Sequence, residues 1–118
     1  MPPKRIPAST GRPAVSAALA EGATRDDTAT AVRYLLQVLA EGAEGNTVEV
    51  RVPPFGAVQA IQGPRHTRGT PPNVIEMDAA TWIAVATGVE HWSDAASTGR
   101  IHASGTRADL TDILPVRP

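Results

Sequence analysis

Residues 25–41 carry the clearest periodic pattern of apolar positions in the chain. Four apolar residues repeat at the i, i+3, i+4 and i+7 spacing of one helical face: Val32, Leu35, Leu36 and Leu39. Three polar residues lie off that stripe: Arg33, Gln37 and Glu41. Thr24 and Asp27 have the spacing of a capping box, in which a hydroxyl and a carboxylate bond backbone N–H groups of the first turn. The pattern therefore predicts an amphipathic helix that begins after Thr24.

Four shorter segments predict strands. Residues 47–52 alternate between valines on one face and charged side chains on the other, which is typical of a half-buried strand. Residues 57–62 resume the pattern after a Pro-Pro-Phe-Gly break, and the short return predicts a hairpin. Residues 73–77 and 100–103 predict a third and a fourth strand.

Further helices are predicted before and after these strands. Residues 13–20 predict a short first helix, because proline suits a first helical turn. Asp78 is a good N-cap for a helix through Thr87, and shorter helical turns are predicted near residues 93–99 and 109–114. This order favours an α+β fold, with helices on one face of a small, mostly antiparallel sheet.

The length and charge of the chain limit its organisation and its partners. The 118 residues predict a single domain over residues 1–118, in which the proline-rich residues 1–8 form a flexible N-terminal arm. The 11 Lys and Arg residues nearly balance the 12 Asp and Glu residues, which excludes a nucleic-acid binder that works by bulk positive charge. No apolar run approaches the ~20 residues of a membrane span, and no apolar stretch follows the basic N-terminus as a signal peptide requires. We therefore expect a cytoplasmic protein with no stable membrane insertion and no nucleic-acid partner.

The second half of the chain carries the motifs of a known family. In order, they are Val74-Ile75-Glu76-Met77-Asp78, Trp82, Ala86-Thr87-Gly88, Trp92, Ala95-Ala96, Gly99-Arg100-Ile101 and Gly105. This order resembles the second half of the sterol carrier protein-like fold, in which a strand ending in an acid is followed by a helix, a Thr-Gly stop and an Ala-rich short helix. With the upstream stretches RVPPFGAVQ and GPRHTRGTPPNVIE, the chain looks like the short actinobacterial branch of bacterial sterol carrier orthologues over residues 25–115.

The resemblance implies a mixed sheet of about five strands, covered by helices, with a hydrophobic cavity between the two layers. In well-studied relatives this cavity takes sterols, fatty acids or acyl chains without chemistry, and related domains also serve as accessory parts of enzymes. The segment after Gly105 has only 13 residues, less than the C-terminal helix that lines the tunnel of larger relatives. The resemblance therefore leaves a small, open or missing cavity as alternatives for this chain.

Large apolar side chains are the candidates for lining such a cavity, because ligand pockets are mostly apolar with a few polar groups for orientation. They are Phe55, Val58, Ile61, Trp82, Val85, Trp92, Ile101, Leu110 and Leu114. The alternative is that a domain with so few large side chains needs all of them for its own core. The sequence leaves both interpretations open.

A polar loop supplies candidates for an anionic head group. Arg65, His66 and Arg68 fall within a stretch of prolines, threonines and glycine that has no apolar side chain apart from proline. Guanidinium groups bind carboxylates and phosphates through two parallel hydrogen bonds, which suits the acidic end of a lipid. The alternative is a solvated loop whose arginines pair with acids such as Glu49 or Glu76.

Patterns of catalysis and metal binding are missing from the sequence. Cys is absent, which excludes disulfides, thiolate metal ligands and a cysteine nucleophile. The histidines lack metal-ligand spacing, and the serines lack a nucleophile-elbow context. We therefore expect no metal, no cofactor and no enzymatic activity. Two functions remain: binding of a lipid, fatty acid or other acyl ligand in the cavity, or a protein-interaction or regulatory module of the same fold with no lipid cavity.

Overall fold

A computed structural model describes residues 4–63 and 73–118 of the chain. Its helices are α1 (Ala8–Leu19), α2 (Arg25–Gly42), α3 (Ala79–Thr87) and α4 (Trp92–Ser97). Its strands are β1 (Val48–Val52), β2 (Gly56–Ala60), β3 (Asn73–Glu76) and β4 (His102–Ser104), and a 3₁₀ turn covers Thr111–Ile113. The predicted α+β class is confirmed. Within the described ranges, no helix combines the length and apolar composition that a membrane crossing requires.

The four described strands form one mixed sheet in the order β2-β1-β3-β4. The β1–β2 and β3–β4 pairs are antiparallel, whereas β1 and β3 run parallel. Val50 lies at the centre of the sheet, opposite Val58 on β2 and Ile75 on β3. The hairpin predicted after the first strand is thereby confirmed. The described residues hold no fifth strand, so the count of about five stays a prediction.

Helix α2 forms as its sequence predicts. Thr24 Oγ1 accepts a hydrogen bond of 3.0 Å from the Asp27 backbone N–H, and the Asp27 carboxylate accepts one of 3.2 Å from the Thr24 backbone N–H. The four residues of the predicted apolar stripe are all buried: Val32, Leu35, Leu36 and Leu39. The capping box is confirmed, and it fixes the residue at which helix α2 begins.

Helix α1 begins five residues earlier than the sequence pattern predicts. The carbonyl oxygen of Pro7 accepts backbone hydrogen bonds of 2.9 Å from both Thr10 and Gly11, so the helix starts at Ala8 and Pro13 lies inside it. The prediction of a first turn at Pro13 is wrong, because the first turn already lies at Ala8, where the Pro7 carbonyl oxygen accepts the first backbone hydrogen bonds of the helix. Ala8, which the sequence analysis assigned to the arm, is therefore the first helical residue.

The core lies between the helices and one face of the sheet. Strand β1 buries all three of its valines, Val48, Val50 and Val52. Ile75 of β3 and Trp82 of α3 are also fully buried. Trp82 Nε1 donates a hydrogen bond of 3.3 Å to the Val32 carbonyl oxygen on α2. A buried indole N–H needs such a partner, so Trp82 also fastens α3 to α2.

Short elements complete the second half of the chain. Asp78 caps α3 as predicted, because its carboxylate accepts a hydrogen bond of 2.8 Å from the Thr81 backbone N–H. Helix α4 begins at Trp92, one residue before the predicted start. The fourth strand lies at His102–Ser104 instead of residues 100–103, and Ile101 before it is buried.

Candidate functional site

A groove of about 590 Å³ runs between helix α2 and strand β2, and the segment before α1 forms its third side. Its apolar wall combines side chains from these three parts of the chain: Ile6, Leu36, Ala40, Phe55, Ala57 and Val58. Ligand pockets of ~300–1,000 Å³ are typical, and most are apolar with a few polar groups. The groove therefore has the size and the lining of a small-molecule site.

Helix α2 contributes one row of polar side chains to the groove. Arg33, Gln37 and Glu41 are spaced four residues apart, so they lie along the same side of the helix, and all three line the groove. Leu36 and Ala40 form an apolar row beside them. Helix α2 thus presents an apolar strip and a polar strip to the same groove.

The segment before α1 is held on α2 by the side chain of Gln37. The Ile6 backbone N–H donates a hydrogen bond of 2.8 Å to Gln37 Oε1, and Gln37 Nε2 donates one of 2.8 Å to the Ile6 carbonyl oxygen. One amide side chain therefore satisfies both backbone groups of one residue. Lys4, Arg5 and Ile6, called the arm segment below, line the groove as a consequence of this contact.

An ion pair holds the same segment one helical turn further along α2. Arg5 donates two hydrogen bonds to the Glu41 carboxylate, of 2.7 Å from Nε and 3.0 Å from Nη2. These bonds hold the pKa of Glu41 below its usual range and raise the pKa of Arg5. Both side chains are exposed, to 65% for Arg5 and 47% for Glu41, so solvent screens the pair. Gln37 is therefore the stronger of the two attachments.

Arginines surround Phe55 at one end of the groove. Arg33 Nε donates a hydrogen bond of 2.9 Å to the Phe55 carbonyl oxygen. The Arg25 guanidinium lies 5.0 Å from the centroid of the Phe55 ring, which is within the range of a cation–π contact. The main-chain bond fixes the position of the Arg33 guanidinium at the rim of the groove.

The predicted cavity residues divide between the groove and the core. Phe55 and Val58 line the groove. Three others are almost completely buried in the core: Trp82, Val85 and Leu110. Ile61 is half-buried against the core and lies outside the groove, at a backbone φ of +68°.

The remaining predicted residues lie away from the groove. Trp92 and Leu114 line a smaller pocket of about 230 Å³ together with one edge of Val85. Ile101 borders an open depression beside β3 and β4. The described residues therefore bring two of the predicted apolar residues to the groove and three to the smaller pocket, and do not place the full set around one cavity.

The predicted head-group residues Arg65, His66 and Arg68 lie outside the described residues, so their role stays a prediction. Their alternative partner Glu49 accepts a hydrogen bond of 2.6 Å from Arg51 Nε. Among the described residues, no group of three or more His, Asp or Glu side chains is placed to hold a metal ion.

Sequence reasoning did not find most of the residues that shape the groove. Leu36 was recognised only as part of the helical stripe, and Gln37 and Glu41 only as polar residues outside it. Their regular spacing beside the apolar stripe is the signal that points to a mixed apolar and polar site. The contribution of Ile6 had no such signal, because it depends on where the chain before α1 is placed.

Comparison with known proteins identifies one family. The model of the family described as bacterial sterol carrier protein (SCP) ortholog matches residues 24–116. The match includes α2, the whole described sheet and both later helices, and it begins after α1 and the arm segment. No curated protein matches the chain.

Proposed function

Because the chain belongs to the bacterial sterol carrier protein ortholog family, we propose that it binds a lipid, fatty acid or other acyl ligand without chemistry. The ligand lies in the groove between α2 and β2, with its chain against Leu36, Phe55 and Val58. The proposal also places the protein in the cytoplasm, as expected from its sequence, and gives it no cofactor.

One observation carries this proposal: an apolar groove of about 590 Å³ whose polar groups come from one row on α2 and from the arm segment. Leu36 and Val58 come from secondary-structure elements that the core holds in place, so this wall exists before a ligand arrives. Pre-formed apolar walls bind aliphatic chains because each buried CH₂ contributes about 0.8 kcal/mol.

The proposal is tested by filling the groove. Ala40 is half-buried on α2 and lines the groove, so Ala40→Trp occupies the space of the acyl chain. Ala29 is also half-buried on α2 but does not line the groove, which makes Ala29→Trp the matched control. We expect Nile red and dodecanoate to bind the natural protein and the Ala29→Trp variant, and to bind Ala40→Trp at least tenfold more weakly.

Native mass spectrometry of the purified protein, followed by organic extraction, provides the independent measurement. A bound mass that moves into solvent and proves to be a lipid supports the proposal. Equal binding of dodecanoate by the two tryptophan variants contradicts this location of the site, and no binding to the natural protein contradicts the function itself.

The second candidate function is a protein-interaction or regulatory module. It is favoured by the complete burial of Trp82 and Leu110, which the cavity hypothesis had assigned to ligand contact. Val89 is also 70% exposed, although it is a large apolar residue. This alternative predicts a protein without lipid in native mass spectrometry and no effect of Ala40→Trp on dye fluorescence.

A further inference from the structure

Positive charge is concentrated around the groove, although the whole chain has a net charge of −1. The described residues that line the groove include the cations Lys4, Arg5 and Arg33 and one carboxylate, Glu41, for a net charge of +2. Arg5 and Glu41 bond each other, so their charges offset one another. Lys4 and Arg33 are left as the groove-lining cations that form no ion pair with a described residue, and Arg25 lies over the Phe55 ring beside the groove.

Arg33 is positioned to bind an anion. Its Nε is committed to the Phe55 carbonyl oxygen at 2.9 Å, and this is its one side-chain hydrogen bond to a described residue. The two terminal nitrogens of the guanidinium carry four further N–H donors. A guanidinium anchored through Nε keeps these donors in a fixed plane, which reduces the entropy lost when they bond two oxygens of a carboxylate or phosphate.

We propose that the groove selects amphiphiles with an acidic head group, and that Arg33 binds that head. This inference rests on the proposed function and specifies its ligand class. The head lies at the Phe55 end of the groove, where the Arg33 guanidinium is fixed, and the aliphatic chain lies along Leu36 and Val58. The carboxylate of Glu41 does not compete for Arg33, because Arg5 already occupies it.

The arm segment forms one side of this groove, where the bonds of Gln37 to Ile6 and of Arg5 to Glu41 hold it. The family match begins at Thr24, beyond this segment. Lys4, Arg5 and Ile6 of the groove lining therefore come from residues that the family model does not include, whereas Arg33 lies within the match.

The test compares ligands that share a chain and differ in the head. Displacement of Nile red is measured with dodecanoate, dodecyl phosphate and dodecanol, each below its micelle concentration. We expect both acids to bind at least tenfold more tightly than the alcohol, a difference of about 1.4 kcal/mol. The ratio between the carboxylate and the phosphate then identifies which acidic head fits better.

Variants at Arg33 separate a specific site from general charge. Arg33→Gln is expected to lose about tenfold in affinity for dodecanoate with no change for dodecanol, and Arg33→Lys to recover part of that loss. Arg12→Gln is the matched control, because Arg12 is also exposed and its Nε donates a bond of 3.0 Å to the Pro118 carbonyl oxygen, outside the groove.

Each other outcome overturns the inference in a distinguishable way. Equal affinity of the natural protein for dodecanoate and dodecanol rejects acid selection but leaves the proposed function standing. Equal losses in Arg33→Gln and Arg12→Gln show that overall charge, not this site, attracts the acid. Absence of binding by all three ligands rejects both the inference and the proposed function.

Discussion

Gln37 is expected to determine whether the arm segment stays on helix α2. The change Gln37→Met keeps an unbranched side chain that suits a helix, but removes the acceptor and the donor that bond Ile6. A hydrogen bond of this kind contributes about 0.5–1.5 kcal/mol net, so the two together contribute about 1–3 kcal/mol to docking of the segment. This corresponds to about a fivefold to 150-fold change in the equilibrium between the docked and the released segment.

Hydrogen exchange at the Ile6 backbone amide measures this equilibrium directly. The amide is bonded to Gln37 Oε1 at 2.8 Å when the segment is docked, and it meets solvent when the segment is released. We expect Gln37→Met to increase the exchange rate of this amide by about tenfold or more. Amides in the middle of α2 are expected to keep their rates, because the substitution leaves the helix and its buried face unchanged.

Glu41→Gln provides the control, since it removes the ion pair with Arg5 and leaves both bonds to Ile6 in place. Exposed ion pairs contribute little in water, so this variant should change the Ile6 exchange rate much less than Gln37→Met does. The reasoning is refuted if Gln37→Met leaves the rate unchanged, or if Glu41→Gln has the larger effect. In that case the ion pair or the apolar contacts of Ile6 hold the segment.

Two further predictions concern stability. Gly11→Ala should lower the free energy of unfolding by about 1–3 kcal/mol in chemical denaturation, because the added Cβ would lie 2.2 Å from the Tyr34 ring. Replacing glycine by alanine inside a helix usually stabilises a protein. A stabilised Gly11→Ala variant would therefore contradict the packing described. Asp78→Ala should cost about 1 kcal/mol at pH 7 through loss of the cap. Hydrogen bonds from the Thr81 backbone and side chain lower the pKa of Asp78 in the folded state. The contribution of the Asp78 carboxylate to stability is therefore complete above its ordinary pKa of 3.8, and it is lost as the pH falls through the folded-state pKa. Urea unfolding at pH 7 and pH 3 should show the difference between the natural protein and Asp78→Ala shrink in acid, and a constant difference would contradict this assignment.

Local signals in the sequence were sufficient for most of the secondary structure. The capping box of Thr24 and Asp27 and the alternation of β1 each depend on neighbouring residues, and both are confirmed. The start of α1 was predicted wrongly, because Pro13 suits a first helical turn. In the structure the helix begins after Pro7, whose carbonyl oxygen accepts backbone hydrogen bonds from Thr10 and Gly11. Local preference could not rank the two prolines, since either can stand at the beginning of a helix.

The candidate site was harder to predict because burial is decided by packing across the whole domain. Trp82 and Phe55 are both large aromatic residues, and nothing in their neighbourhood in the sequence separates a core residue from one that lines a groove. In the structure, Trp82 is fully buried and bonds the Val32 carbonyl oxygen, whereas Phe55 lies on the turn after β1 and stays half-buried. The position of each follows from contacts with α2 that are distant in sequence.

The groove combines two parts of the chain whose relation to the family differs. Leu36, Arg33 and Phe55 lie within the residues that the family model matches, and they supply the apolar wall and the anchored guanidinium. Lys4 and Ile6 lie before the match, in the segment that Gln37 and Glu41 hold on α2. Family membership therefore agrees with the proposed hydrophobic ligand, while the arm segment adds an apolar and a cationic side chain to the groove that the family model does not include. A relative that shares α2 and β2 without this segment would keep Leu36, Phe55 and Val58 in the groove lining and lose Ile6 and Lys4.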